Sequence, residues 1–169
     1  GQIDGIGGGN GDLMIIKTNS SGDLQWLKSY GGTNTDGYGC VITTNDGGYI
    51  IAGNTLSFGA GLWDIYVVKT NSNGDLQWSK CYGGSNNDEA FHITSTTDGG
   101  YLICSRSNSF GASFSDVNIN LLKTDSNGNV QWSKNYGGTN KDHIPSTTQC
   151  FTQMKDGSYT IVGATNSFG

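Results

Sequence analysis

The sequence predicts an all-β fold, and three observations predict it. Glycine is abundant, 28 of 169 residues, against a single proline, and only 14% of residues are charged. Disordered chains carry more charge and fewer aromatics, so this composition suits short strands joined by many tight turns. The second observation is internal repetition. Trp26, Trp78 and Trp132 are spaced by 52 and 54 residues, and Asp46-Gly-Gly-Tyr returns at Asp98 and, as Asp156-Gly-Ser-Tyr, at Asp156. Ser-Phe-Gly stands at 57–59, 109–111 and 167–169, and Lys-Thr at Lys17, Lys69 and Lys123. The third observation is that each unit holds four strand-like runs.

Taken in order, residues 1–11 form a Gly-rich head, and units follow at roughly 12–59, 60–111 and 112–169 of one repeat domain. The middle unit shows the pattern. A β-branched run, Glu89 to Thr97, ends at Asp98-Gly99-Gly100, a hairpin signal. This is strand A, and Tyr101-Leu-Ile-Cys is strand B. The loop SFGASFSD leads to strand C, Val117 to Thr124, which closes at Asn127-Gly128, a pair that supplies the positive φ of a tight turn. Val130 to Tyr136 is strand D. Tyr49-Ile-Ile-Ala in B and Ile65-Tyr-Val-Val in C place apolar groups on both faces, as interior strands do. In D, Leu76, Trp78, Lys80 and Tyr82 share one face and polar residues the other, so D lies at the outer edge.

Four-stranded antiparallel sheets repeating about every 50 residues predict the blades of a β-propeller, three blade-equivalents per chain. The chain opens at strand C (Asp12 to Thr18) and closes at strand B (Tyr159 to Ala164), so its ends fall inside a blade. The C-terminal A–B pair is therefore expected to meet the N-terminal C–D pair, with the Gly-rich head as slack. Three blades is one below the usual minimum of about four. The expected partner is self, as two chains sharing a six-bladed ring or as a larger repeat array.

The stretch DGGYIIAGNTLSFGAGLWDIYVVKTNSNGDLQWSKCYGG (46–84) resembles the propeller repeats of large secreted and cell-surface proteins of bacteria and archaea. The resemblance covers nearly the whole chain. It implies an extracellular or cell-surface setting with a display, adhesion or scaffold role, and it carries no generic catalytic residues. This chain departs from the pattern by four extra residues in the last strand A (143–151) and two in the last strand C (116–123).

Net charge is −5 and no basic stripe exists, which argues against nucleic acid as a partner. No apolar run reaches the roughly 20 residues that span a bilayer, and GQIDGIGGGNGD, with neither a basic start nor an apolar stretch, is not expected to be a signal peptide, which fits a mature chain or a piece of a longer one equally. Four cysteines, Cys40, Cys81, Cys104 and Cys150, allow three disulfide pairings, and free packing thiols fit the sequence at least as well.

Asp36, Asp88 and Asp142 close three copies of Tyr-Gly-Gly-x-Asn-x-Asp. Repeated carboxylates suit cations. A loop copied in every unit suits geometry better, with glycines permitting the turn and Asn and Asp satisfying its amides. Trp26, Trp78 and Trp132 join the same structural set. Cys40, His92 and Cys150 share one position on strand A and have the chemistry of zinc donors, but a packed inner strand explains them as well, and no metal or cofactor is assigned. Glu89 and His143 follow a repeated Asp and suggest acid–base work, yet no nucleophile, oxyanion donor or cofactor motif accompanies them, so no catalysis is expected. Asp125-Ser-Asn-Gly and Asn45-Asp-Gly-Gly lack the acidic series of a calcium loop and read as turns. The B–C loops carry Trp63 and Phe114, which do not recur, on the same face as Asn34, Asn86 and Asn140. Aromatic platforms beside amides suit a glycan or protein contact. The recurring Phe58, Phe110 and Phe168 read instead as plugs between blades. Asn19-Ser20-Ser21 is a sequon inside a turn.

Overall fold

A computed structural model describes residues 2–6, 9, 11–110, 116–144 and 151–167. These form fifteen strands and no helix. β4 (Asp36–Thr43), β5 (Tyr49–Thr55), β6 (Asp64–Thr70) and β7 (Leu76–Tyr82) make one antiparallel sheet in the order β4-β5-β6-β7. β8 (Asp88–Ser95), β9 (Tyr101–Ser107), β10 (Asn118–Thr124) and β11 (Val130–Tyr136) make a second in the same order. The predicted A–B–C–D meander is present, with D at the edge.

The hairpins close as their residues dictate. Gly47, Gly74, Gly99 and Gly128 hold positive φ where the turns demand it. Asp46 and Asp98 accept from the N–H of Gly48 and Gly100, and Asp125 from those of Asn127 and Asn129. These carboxylates build turns, as the sequence suggested.

A half-sheet precedes the two complete sheets. β2 (Leu13–Thr18) pairs antiparallel with β3 (Leu24–Tyr30), and β1 (Gln2–Ile6) adds to β3 in parallel. The stretch expected as slack thus contains a strand. At the other end β12 (Asp142–His143) pairs with β15 (Ala164–Thr165), and β13 (Phe151–Gln153) with β14 (Tyr159–Ile161). This is a strand A–B pair, its strand B broken at Val162–Gly163, while residues 145–150 of the long last strand A lie outside the described residues. The expectation that this pair meets the N-terminal half-sheet is not met within the chain, since β2 and β14–β15 share no register. The two extra residues of the last strand C precede β10, so Asn118 takes the place held by Asp64 and Asp12 in the earlier copies.

Core packing runs from sheet to sheet. Leu13 and Ile15 of β2 meet Ile51, Tyr66 and Val68. Ile65 and Val67, on the opposite face of β6, meet Ala90, Ile93, Ile103 and Leu122. Leu102, Cys104 and Leu121 then meet Ile144 and Phe151. Both faces of the middle strands are consumed, which is why they read as apolar runs without alternation.

Strand D reaches beyond its own sheet. Trp78 and Tyr82 pack against a cluster that takes in Ile65 and Val67 of their own sheet and Ile93, Tyr101 and Ile103 of the following one, and Lys80 joins them in polar contact with the latter. The Trp78 ring lies 6.5 Å from Tyr101, the Lys80 ammonium donates to Asn129 Oδ1 at 2.7 Å, and the Tyr82 hydroxyl donates to the Gly128 carbonyl at 2.6 Å. Leu76, on the same face, stays exposed. An edge strand whose polar face is solvated can spend its apolar face on a neighbour, and here the neighbour is the next unit.

Candidate functional site

The repeated Asp is the centre of each joint between sheets. The N–H of Asp36 donates to the Gly11 carbonyl, that of Asp88 to Trp63 and that of Asp142 to Val117, at 2.6–2.8 Å. The Asp36 carboxylate accepts from Gly32 N–H at 2.7 Å, from Ser57 Oγ at 2.7 Å and from Thr55 Oγ1. Asp88 repeats the set with Gly84 N–H, Ser109 and Ser107. Asp142 does so with Gly138 N–H and Ser167. Hydroxyls of Thr165 and then Ser167 hold the Asp142 carboxyl down to about 2. All three carboxylates are buried and each accepts from its own loops, Asp142 through Oδ2 alone by hydrogen-bond geometry, its Oδ1 having no partner among the described residues. Their geometry is that of a joint.

A second carboxylate faces each of the first two. A Cβ placed on Gly83 would stand 1.8 Å from Asp64 Oδ1 and 2.9 Å from Asp88 Oδ2, and one on Gly31 would stand 2.3 Å from Asp12 Oδ1 and 2.6 Å from Asp36 Oδ2. Asp64 Oδ2 accepts from Ala60 and Gly61 N–H, while its Oδ1 is buried with no hydrogen-bond partner among the described residues. Burial, with the Asp88 charge as a lesser cause, raises the Asp64 pKa above the ordinary carboxylate value. In the third copy Asn118 lies beside Asp142 across Gly137. An amide fills the place of a carboxylic acid, since both offer one donor and one acceptor edge. The amide of Asn118 puts a neutral group beside a buried carboxylate, and the raised pKa of Asp64 moves that side chain in the same direction.

The sequence-predicted contact residues divide. Asn34, Asn86 and Asn140 each donate a side-chain N–H to a B–C loop carbonyl, those of Leu56, Asn108 and Asn166, at 3.0–3.2 Å. They brace loops. Trp63 is half-buried, and its ring meets Tyr38 edge to face at 6.3 Å. Tyr38 was missed. It is 79% exposed, at φ +52, on the bulge between Gly37 and Cys40. A bulky residue in the left-handed region is unusual, and the signal in the sequence was Tyr-Gly where the next copy has Ala90-Phe91. Beside it lies a groove of about 440 Å³ bounded by Gly39, Asn54, Glu89, Ala90 and Phe91. Glu89 is committed to Arg106 at 2.7 Å, and the guanidinium lies over the Phe91 ring. Phe58 packs beside Tyr66 at 5.4 Å and over Gly32, though it and Phe110 keep about half their surface exposed.

Cys40 and His92 do share one position, opposite Ala52 and Cys104. His92 stands edge to face with Phe151 at 5.3 Å, and burial lowers its basicity. No group of three or more metal-ligating side chains occurs among the described residues. Cys150, Phe114 and Phe168, and the His143 side chain, lie outside them. Cys81 carries a free thiol, and burial pushes it up to about 11. Asn19, the sequon residue, donates its amide to Asp23 at 2.9 Å.

Two buried lysines are repeat elements the sequence left unexplained. Lys69 bonds Asp46 at 2.7 Å, Gln77 and the Thr70 carbonyl, and Lys123 bonds Asp98 at 2.9 Å, Gln131 and the Thr124 carbonyl. Each ties strand C to the A–B turn and to strand D of its own sheet.

These features define an all-β chain of repeated antiparallel four-stranded sheets. No family model matches it. It is similar to the regulatory protein FlaEY of Caulobacter vibrioides, with 24% identity over 179 residues that take in 92% of this chain. The chain spans 18% of FlaEY's length. Among the described residues no helix is long and apolar enough to cross a membrane.

Proposed function

We propose that this chain is a non-catalytic structural module of an extracellular or cell-surface assembly, built of β-propeller blades and self-associating through them. One observation carries the reading: the same sheet-to-sheet joint recurs at Gly31–Asp36, Gly83–Asp88 and Gly137–Asp142, and its bonds are spent on the fold. Exposed strand edges at both ends support self-association. The likeness to a short part of the much longer FlaEY fits a repeat module that occurs within larger chains. Sedimentation and negatively stained images of the 169-residue chain test it. Rings or filaments are the expected outcome, and a monomer at every concentration would overturn it.

A binding role is the second reading, favoured by Tyr38. Its exposed ring at positive φ, edge to face with Trp63 beside an open groove, suits a flat sugar face or a protein side chain. Glycan-array binding that is lost in Tyr38→Ala and Trp63→Ala supports it, and an array without hits removes it.

A further inference from the structure

Between successive sheets the same three contacts recur, always from strand D to the following unit. Trp26 meets Tyr49 at 5.7 Å, Lys28 bonds Asp75 at 3.3 Å, and Tyr30 donates to the Gly74 carbonyl at 2.5 Å. One unit on, Trp78, Lys80 and Tyr82 take Tyr101, Asn129 and Gly128. In the last complete sheet Trp132 meets Tyr159 at 6.0 Å, and there the series stops. Lys134 and Tyr136 stand exposed. The matching acceptors lie at the opposite end of the chain. Gly22 is the counterpart of Gly74 and Gly128. Those two glycines are covered by Trp26 and Lys28, and by Trp78, Lys80 and Tyr82, whereas nothing lies within 4 Å of a Cβ on Gly22. Asp23, counterpart of Asp75 and Asn129, is exposed.

The strands tell the same story. Met14 and Ile16 of β2 are 57% and 50% exposed, where their counterparts Tyr66 and Val68 are 4% and 0% exposed. Val162 is 64% exposed, where Ala52 and Cys104 are fully buried. A pocket of about 420 Å³ bounded by Leu121, Trp132, Tyr136, Tyr159 and Ile161 lies open beside the C-terminal pair. The equivalent space one sheet earlier, among Val67, Trp78, Tyr101 and Ile103, is filled by Leu122, the counterpart of Ile16. Among the described residues Lys17 lacks the carboxylate that Lys69 and Lys123 have, and Asp156, the counterpart of Asp46 and Asp98, accepts only from Ser158.

We propose that a second copy of this chain supplies what each end lacks, its β2–β3 half-sheet completing the β12–β15 half-sheet into one composite blade. Transferred from β5–β6 and β9–β10, the register runs from Tyr159↔Thr18 to Thr165↔Asp12. Ile16 of the incoming copy enters the open pocket, and its Lys17 bonds Asp156. Tyr136 donates to the incoming Gly22 carbonyl, and Lys134 pairs with the incoming Asp23. Apolar fit, charge and an open sheet edge agree on one occupant.

The inference rests on the self-association reading, and one set of variants separates the two. By sedimentation, Val162→Asp should weaken association at least tenfold while leaving the melting of the isolated chain unchanged. Lys17→Asp and Asp156→Lys should each weaken it to a similar degree. An equimolar mixture of these two should associate again, because when the two variants alternate every junction sets opposite charges face to face. If wild type associates and all three variants associate equally well, the register is overturned and the scaffold reading stands. If wild type does not associate and no variant changes its melting, both fall. If the chain is a monomer whose melting drops in each single variant and recovers only in the Lys17→Asp/Asp156→Lys double, the ends join within one chain and the second copy is overturned.

Discussion

At the scale of residues, Gly31 and Gly83 leave no room for a side chain between facing carboxylates. Gly83→Ala would thrust a methyl into Asp64 and Asp88, and should destabilise by about 1–3 kcal/mol, the usual range for overpacking. Gly37→Ala, with open space around it, should stay within about 0.5 kcal/mol. Chemical denaturation of the pair checks this, and equal values would mean the two carboxylates move aside freely. The facing acids also set a pH dependence. Asp64 has a raised folded value, so its contribution is complete below the unfolded carboxylate value near pH 4 and is lost as pH rises through the folded one. Asp64→Asn, which reproduces Asn118, should therefore melt higher than wild type in neutral and alkaline buffer, with the gap closing in acid. Thermal melts across pH measure it, and an Asp64→Asn chain less stable at every pH would mean that the Asp64 charge costs the fold nothing. Asp98 runs the other way. The Thr96 hydroxyl and then Lys123 hold it at about 2, so its contribution is present above about pH 4 and disappears as pH falls toward 2. Lys123→Met should flatten that acid limb.

At the scale of elements, strand D is an edge strand that works as a clamp. Trp78 is half-buried against Tyr101, and Trp78→Ala should cost about 2–3 kcal/mol, somewhat less than the 3–5 of a fully buried Trp. Loss in both complete sheets together, seen as a single broadened unfolding transition, identifies the clamp. A change of a few tenths would mean that D contributes little beyond its backbone ladder. Much of this element was legible. Strand order, hairpin turns and the outer position of D followed from two-sided apolar runs and from glycines at fixed offsets. The direction of the Trp–Lys–Tyr face was not, because alternation tells which residues share a face and not which sheet lies beyond it. The facing role of Asp12 and Asp64 was hidden for a similar reason. They sit 24 residues before Asp36 and Asp88, and only the crossover between sheets brings them together. Tyr38 was illegible because a bulge changes the alternation by one residue, and pattern reading assumes there is none.

At the scale of the molecule, the core clusters of the described residues link each sheet to the next, so stability should be close to a sum of sheet terms and nearest-neighbour terms. Hydrogen exchange should be slowest in β5–β6 and β9–β10, which are covered on both faces, and fastest in β13–β15, whose outer edge is open. Uniform protection across the chain would contradict a serial architecture. Repetition made the order of strands within each four-stranded sheet readable from sequence alone.

The Trp–Lys–Tyr contacts all point the same way along the chain, from one sheet to the next and never back. An assembly made of such contacts has two chemically different ends. A Val162→Asp copy could still dock through its N-terminal half-sheet but could pass nothing on. In an open fibre a trace of it would act as a chain terminator and shorten every polymer, whereas in a closed ring it would spoil only the particles that contain it. The dose dependence of one poison variant thus reads out topology without an image.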